Sequence, residues 1–568
     1  LQRDPDPNTR AELQKLINDQ NTDQLQSRFA GRLQFGTAGL RGLLGAGPAR
    51  MNRLVVQETT AGLGNYLQET IKGSQQRGVV IGYDGRNGSL QFAKDSACVL
   101  AGLGFRVFLF DRMIPTPTCA FAITNLGACA GIMITASHNP PDYNGYKAYW
   151  ENGAQIIPPH DQGIADKIVL AANNILPWKE LENALADGEI TYIEQSLIES
   201  YLQGIEARAL YADESHKHNL KIVYSPLHGV GAELTEACMH RAGFDQFYTV
   251  PTQRKPDGLF PTVKFPNPEE PGAMDASIQL AQELGADLVV ANDPDADRLA
   301  VALPSPDGSY YMLSGDQIGC ILGHALLEVH KGKAIAVGST IVSSRLLSVM
   351  AKEYGAKYFE TLTGFKWIAN QAIELKEQGL EFLLGYEEAI GFTIGDLVRD
   401  KDGISALLNF ALLTSKLQKE GKTIGDYLEQ IHRRYGLHLT TQKSLALSPT
   451  MNAKVLKEKL RSNPPTQIAG QEVVAVSDYL RLTTTFKTGA EEEIVLPQSD
   501  VITFYLEDNS RIIIRPSGTE PKIKCYYETI VQLDETISHN HALTNAQMGL
   551  ETLMNQHQIE LSLLTSSS

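Results

Sequence analysis

The chain is short of cysteine, tryptophan and positive charge. Six cysteines among 568 residues, none in a CxxC pair, exclude a disulfide framework and a cysteine-built metal cage. They read as buried free thiols in a reducing compartment. With the polar start Leu1 to Arg10, this predicts a cytoplasmic protein with no signal-peptide core. No apolar run reaches the ~18 residues of a membrane helix. Lysine and arginine total 50 against 66 acidic residues, a formal charge of −16. That balance excludes nucleic acid and an anionic membrane as main partners. Anionic small molecules stay open, because a cationic pocket can sit inside an acidic total. Nucleotide motifs are incomplete too. Gly421-Lys422-Thr423 ends like a Walker loop, but Lys416 stands where glycine is needed. Gly229-Val230-Gly231 is followed by Leu234 in place of the third glycine of a dinucleotide fingerprint.

What is present is globular, with 43% hydrophobic and 20% charged residues. At about 100–200 residues per domain, the length predicts three to five domains. Three stretches share one layout of strand, helix, glycine-containing helix end and strand. They begin at Val79, Leu220 and Ala334, and their helix ends carry Gly104, Gly243 and Gly355. They predict three related α/β domains. Each is followed by an apolar strand that runs into an unusual polar loop. These loops are Thr135 to Pro140, Asn292 to Arg298 and Gly385 to Gly391. Sites of α/β sheets lie beyond the carboxyl ends of strands. The last part reads differently, as a hairpin from Val501 to Arg515, a break at Pro516 to Pro521, and a strand from Lys522. A C-terminal α+β domain is placed from about Gly436, with a helical tail after Ser538.

The loops carry the chemistry. Asp293, Asp295 and Asp297 alternate, and Pro294 resists a helix between the first two. Alternate carboxylates can converge on one hard cation, and few oxygen ligands with open positions suit Mg²⁺ completed by a phosphate. An EF-hand does not fit, since Arg298 and Pro304 stand where Gly and Glu are needed. Ser137 lies in a turn after a strand. Its neighbour His138 is not a triad base by spacing, because adjacent side chains do not generally face each other. Lys147, ten residues on, can be brought back by the intervening turn. Arg515-Pro516-Ser517-Gly518-Thr519 offers a guanidinium, two hydroxyls and backbone amides, which is phosphate chemistry. Phe35 to Gly42 is a second cationic loop, with glycines that permit close backbone approach.

Taken together, FGTAGLRG (Phe35 to Gly42), TASHNP (Thr135 to Pro140), DPDADR (Asp293 to Arg298), GYEEAIG (Gly385 to Gly391) and RPSGTEP (Arg515 to Pro521) resemble the α-D-phosphohexomutase superfamily. The resemblance spans nearly the whole chain. It is nearest to the branch of phosphoglucomutase-2-type and phosphopentomutase-like enzymes. It implies three α/β domains with mixed sheets plus the α+β domain, heart-shaped around a central cleft. The domains are placed at 1–205 (phosphoserine), 206–313 (metal), 314–435 (sugar) and 436–568 (phosphate). By resemblance, Ser137 carries a phosphoryl group, and Asp293, Asp295 and Asp297 bind Mg²⁺ with a phosphate oxygen on Ser137. Glu387 matches a sugar-hydroxyl ligand. Arg515, Ser517, Gly518 and Thr519 match a distal phosphate site. Arg41, Lys147 and Arg298 match cationic cleft residues. Lys401, Thr363 and Gly364 match substrate contacts of the third domain. Lys147 and Arg41 are candidates for proton transfer or charge stabilisation near Ser137, and Lys147 is the expected proton carrier, since a desolvated lysine changes charge more readily than arginine. His138 is expected to position the loop. Ala389 stands where many glucose- and mannose-type members have serine, which puts the sugar contacts in question.

The implied reaction interconverts hexose 1-phosphate and hexose 6-phosphate, with glucose ahead of mannose, through phosphoserine and a sugar bisphosphate. The alternatives are a phosphopentomutase acting on ribose or deoxyribose phosphates, a phosphatase, and a non-catalytic phosphosugar-binding protein. The implied partners are small sugar phosphates, with the chain a monomer or a dimer.

Overall fold

A computed structural model describes residues 2–34, 39–211, 219–446, 453–516, 522–533 and 536–566. The chain divides into two compact units. One is Leu1–Ile318 with Gly364–Glu420, and the other is Gly319–Thr363 with Gly421–Ser568.

The first unit holds two mixed sheets. Strands β1 (Leu40–Leu43), β2 (Val79–Tyr83), β3 (Val107–Leu109), β4 (Ala130–Ile134), β5 (Tyr143–Trp150) and β6 (Ile190–Tyr192) stand in the order β1-β5-β4-β2-β3-β6. The pairs β4–β2, β2–β3 and β3–β6 are parallel, while β5 is antiparallel to β4 and β1. Every residue of β2 and β4 is buried, as for central strands covered on both faces. Strands β7 (Ile222–Ser225), β8 (Phe247–Thr249), β9 (Leu288–Ala291), β10 (Ala300–Pro304) and β11 (Tyr310–Met312) form the second sheet, ordered β11-β10-β9-β7-β8. Each sheet has its own apolar core.

The second unit contains the third strand–helix–strand element. Strand β12 (Ile335–Thr340) pairs in parallel with β13 (Lys357–Thr361) across helix Leu346–Glu353. All three repeats seen in the sequence are therefore parallel strand–helix–strand units. Gly104, Gly243 and Gly355 end their helices at φ of 79°, 88° and 67°, where a Cβ would be strained. The antiparallel pair β14 (Glu381–Glu387) and β15 (Gly391–Ile394) lies in the first unit.

The C-terminal part is an eight-stranded antiparallel sheet. Its strands are β16 (Leu437–Ala446), β17 (Gln467–Ile468), β18 (Gln471–Asp478), β19 (Thr483–Phe486), β20 (Glu491–Glu493), β21 (Ile502–Leu506), β22 (Arg511–Pro516) and β23 (Lys522–Val531). The expected hairpin is β21–β22, in register Ile502 to Ile514. Helices Ala453–Ser462 and His539–Ser566 close the core through Leu456, Leu460, Leu550 and Leu553.

All six cysteines are buried, and burial pushes the thiols of Cys98, Cys119, Cys129 and Cys525 up to about 12. No described helix is long and apolar enough to cross a membrane.

Candidate active site

In the first unit, the chain directs three polar loops from three strand ends onto one another. The loop after β4 presents Ser137 at φ 52°, a left-handed conformation that costs a non-glycine residue about 1–3 kcal/mol. Ser137 N–H donates to Thr135 Oγ1 at 2.8 Å, which closes the turn. Ser137 Oγ donates to Asp293 Oδ2 at 2.7 Å. His138 Nδ1 lies 3.2 Å from the same Oγ. The expectation that these neighbours face apart is corrected here, because the left-handed turn swings them together. Burial, then Arg298 and Arg41, hold His138 well below its ordinary value.

The loop after β9 supplies the carboxylates. Asp293, Asp295 and Asp297 are fully buried, and one oxygen from each lies within 4.8 Å of the others. Ala296 turns the loop at φ 55°. Gly229 explains the incomplete fingerprint. A Cβ there would stand 2.3 Å from Pro294 Cα, and Val230 N–H donates to Pro294 O at 2.8 Å. The motif is a seat for the carboxylate loop. The Walker-like Thr423 likewise caps helix Ile424–Tyr435 in a box with Asp426.

Lys147 rides on β5, whose antiparallel pairing sets it opposite Met133. Its Nζ donates to Asp295 Oδ2 at 2.7 Å and to Asp297 Oδ2 at 2.9 Å. Lys401 Nζ reaches Asp297 Oδ2 at 2.7 Å. Burial opposes the charge on Lys147, but Asp295 and Asp297 outweigh it and hold the ammonium above its ordinary range. The expected proton carrier is thus a locked cation in this arrangement. Asp293 behaves oppositely to its neighbours. Burial, Asp297 and Asp295 push it well up, whereas Lys147 and Lys401 overcome burial to hold Asp297 down.

The donor set fits a hard cation. Asp295 Oδ1 and Asp297 Oδ1 are buried without a hydrogen-bond partner among the described residues, and both belong to the triplet. Carboxylate oxygens at this spacing suit Mg²⁺. Arg298 adds a cation, with Nε 3.8 Å from Asp293 Oδ2 and Nη1 3.4 Å from Glu269. Arg41, on β1, donates to Asn139 Oδ1 at 2.9 Å.

The third loop completes the group. Glu387 ends β14 and accepts 2.8 Å from Gly364 N–H, at the start of helix Phe365–Glu377. Ala389 sits in the turn between β14 and β15. A Cβ on Gly391 would lie 2.2 Å from Lys401 Cδ, so the lysine stem packs against the bare backbone there. The Gly391 backbone bridges to Arg298, which ties the third loop to the carboxylate loop.

Thr363 and Arg515 belong to the second unit. Thr363 Oγ1 is buried without a hydrogen-bond partner among the described residues, and Arg515 lies in β22 opposite Lys524. Ser517, Gly518 and Thr519 fall outside the described residues, as do Phe35, Gly36, Thr37 and Ala38.

Several residues of the site escaped the sequence reading. Thr116 Oγ1 donates to Asp295 Oδ2 at 2.6 Å. Asp400 binds Tyr149 OH and Gln155 Nε2, both at 2.7 Å, just before Lys401. Arg86 holds the Ser137 loop. Of these, only Arg86 left a signal, in the glycine-rich Asp84-Gly85-Arg86-Asn87-Gly88 beyond a strand end.

Four family models match in chain order. They are phosphoglucomutase/phosphomannomutase alpha/beta/alpha domain I over residues 32–173, domain II over 199–305, domain III over 314–435, and the C-terminal domain over 469–532. A Schizosaccharomyces pombe protein named "Probable phosphoribomutase" is 41% identical over 92% of this chain and 91% of its own. The Homo sapiens glucose 1,6-bisphosphate synthase is 35% identical over 94% of this chain and 90% of its own. A phosphoglucomutase/phosphomannomutase family protein from Burkholderia thailandensis shares the fold. Its TM-score is 0.68 at 19% identity, covering 94% of this chain and 98% of that one.

Proposed function

Because the chain belongs to the phosphoglucomutase/phosphomannomutase family and is an isomerase of the α-D-phosphohexomutase superfamily, we propose that it moves a phosphoryl group within one sugar phosphate, with Ser137 as carrier. The observation that carries this reading is the 2.7 Å bond from Ser137 Oγ to Asp293, inside the only aspartate triplet of its kind among the described residues.

Phosphorylated Ser137 gives its phosphoryl group to a free sugar hydroxyl. The Oγ–P bond breaks, the sugar O–P bond forms, and the hydroxyl proton ends on the Ser137 oxygen that the phosphoryl group leaves. The bisphosphate then turns end for end, and Ser137 takes the other phosphoryl group back. His138 Nδ1 and Asp293 Oδ2 are the acceptors within reach of Oγ. Asp293, Asp295 and Asp297 would hold Mg²⁺, which supplies neutralisation of charge on the transferring group. Lys147, Lys401 and Arg298 balance the carboxylates and add positive charge where phosphate must dwell. Glu387 holds sugar hydroxyls, with Gly364 and Ala389 shaping the same contact, and Thr363 is a substrate-binding residue of the second unit. Arg41 steadies Asn139 in the nucleophile loop. Arg515, Ser517, Gly518 and Thr519 are the ligands of the second phosphate.

The leading substrate is a hexose 1- or 6-phosphate, with glucose ahead of mannose. Ala389 favours a second reading, a pentose phosphate, and the relative named phosphoribomutase agrees with it. The test is kcat/KM on glucose, mannose and ribose 1-phosphates with a sugar bisphosphate activator. A hexose ratio above ribose supports the first reading, and the reverse supports the second. Stoichiometric release of inorganic phosphate, or no turnover on any of the three, defeats both.

A further inference from the structure

The nucleophile loop is gripped from behind by one side chain. Arg86 is 4% exposed and follows β2. Its Nη2 donates to the carbonyls of Ser137, at 2.6 Å, and Asn139. Its Nη1 donates to the carbonyls of Pro140 and Tyr143, at 2.8 and 3.1 Å. Four backbone acceptors within seven residues thus converge on one guanidinium. Only a planar fork of fixed geometry can meet them together; an ammonium cannot span the set.

Two further residues, Asp84 and Phe260, flank the guanidinium. Asp84 Oδ2 lies 3.5 Å from Nε, and Asp84 Oδ1 accepts the Arg86 backbone N–H at 3.0 Å. On its face, the guanidinium lies 4.9 Å from the ring of Phe260. Phe260 belongs to the irregular stretch 251–274, which joins β8 to helix Asp275–Leu284. A connection that long without secondary structure calls for a reason. Here it packs directly on the loop that carries Arg86, where a Cβ on Gly258 would stand 2.8 Å from Asn87 N and 3.1 Å from Arg86 Cα.

We propose that Arg86 is a positioning residue for phosphoryl transfer: its fork on four carbonyls imposes the left-handed turn that aims Ser137 Oγ at the aspartate triplet. It does not touch the reacting oxygen, since its donors meet Ser137 through the carbonyl. The proposal rests on Ser137 as the phosphoryl carrier. Misplacing a nucleophile by about 1 Å costs on the order of 100-fold in rate.

The experiment compares the full-length parent, Arg86→Lys and Phe260→Leu by rapid quench with glucose 1,6-bisphosphate and Mg²⁺, reading phosphate on Ser137. Arg86→Lys should slow phosphorylation by about 100-fold while KM for sugar phosphate stays within about threefold. Amide exchange should accelerate over 137–143 and stay unchanged in β2. Phe260→Leu keeps every guanidinium bond and should slow the same step by several-fold through looser seating. Should Arg86→Lys not fold, Phe260→Leu and its exchange pattern decide. Native phosphorylation rates in the folded variants overturn the inference. So does a KM rise that accounts for the whole loss. A parent that takes no phosphate on Ser137 overturns the carrier assignment and this inference together.

Discussion

Ser137 and Asp293, 156 positions apart in sequence, meet through a 2.7 Å hydrogen bond from Oγ to Oδ2. The bond joins a turn after one central strand to a turn after another. It brings the Ser137 hydroxyl to the edge of the carboxylate triplet. Around it, Arg41, Lys147, Arg298 and Lys401 face three buried aspartates. A protein whose formal charge is −16 therefore keeps a concentrated set of cations at its site.

Metal dependence follows from the orphaned oxygens of Asp295 and Asp297. Treatment with EDTA should abolish turnover and Mg²⁺ should restore it. Mg²⁺ should also raise the melting temperature of the parent but not of Asp297→Asn. Full activity in EDTA would count against the assignment.

Lys147 is the counter-ion of two buried carboxylates. Removing one partner of a buried pair costs about 3–5 kcal/mol. In EDTA, Lys147→Ala should be destabilised by an amount of that order, measured by urea unfolding. Mg²⁺ should recover part of the loss, because a cation can take over the charge. Turnover should still be lost by orders of magnitude. Stability unaffected by either change would contradict the reading.

How far the sequence revealed this site varies with the kind of interaction. The repeats were legible because buried parallel strands need apolar runs and because Gly104, Gly243 and Gly355 end helices at positive φ. The carboxylates were legible because they alternate beside a proline. The Ser137–His138 contact was not, since side-chain direction in a left-handed turn departs from simple spacing. Arg86 binds backbone carbonyls, which every residue has, so nothing in its partners marked it. The direction of the Lys147 shift depended on Asp295 and Asp297, residues about 150 positions away, and burial alone suggested the opposite sign.

Arg515 is expected to hold only the distal phosphate. Arg515→Ala should raise KM by more than tenfold, while phosphorylation of Ser137 at saturating bisphosphate changes by less than about threefold. Loss of phosphorylation with KM unchanged would reverse that division.

Glu528 anchors the second unit. It accepts from Ser344 Oγ at 3.0 Å, Arg345 N–H at 2.8 Å, and the Nε of both Arg345 and Arg511 at 2.7 Å. Burial pushes its carboxyl up, but Arg511, His438 and Arg345 outweigh that and hold it well below the usual range. A depressed folded value gives stability that is present above the unfolded value of about 4.3 and is lost as pH falls below it. Glu528→Gln should lower stability at neutral pH by about 3–5 kcal/mol and flatten the acid limb of the urea midpoint. An unchanged acid limb would refute the pairing as the source of acid sensitivity.

The central claim is that Ser137 carries the phosphoryl group. Intact protein incubated with glucose 1,6-bisphosphate and Mg²⁺ can be digested and its peptides weighed. The account predicts one added phosphoryl group on the peptide containing Ser137, discharged by a sugar monophosphate substrate and absent in an inactive Ser137→Ala. Isomerisation by Ser137→Ala at the parental rate, or phosphate on another residue that turns over at that rate, would contradict it.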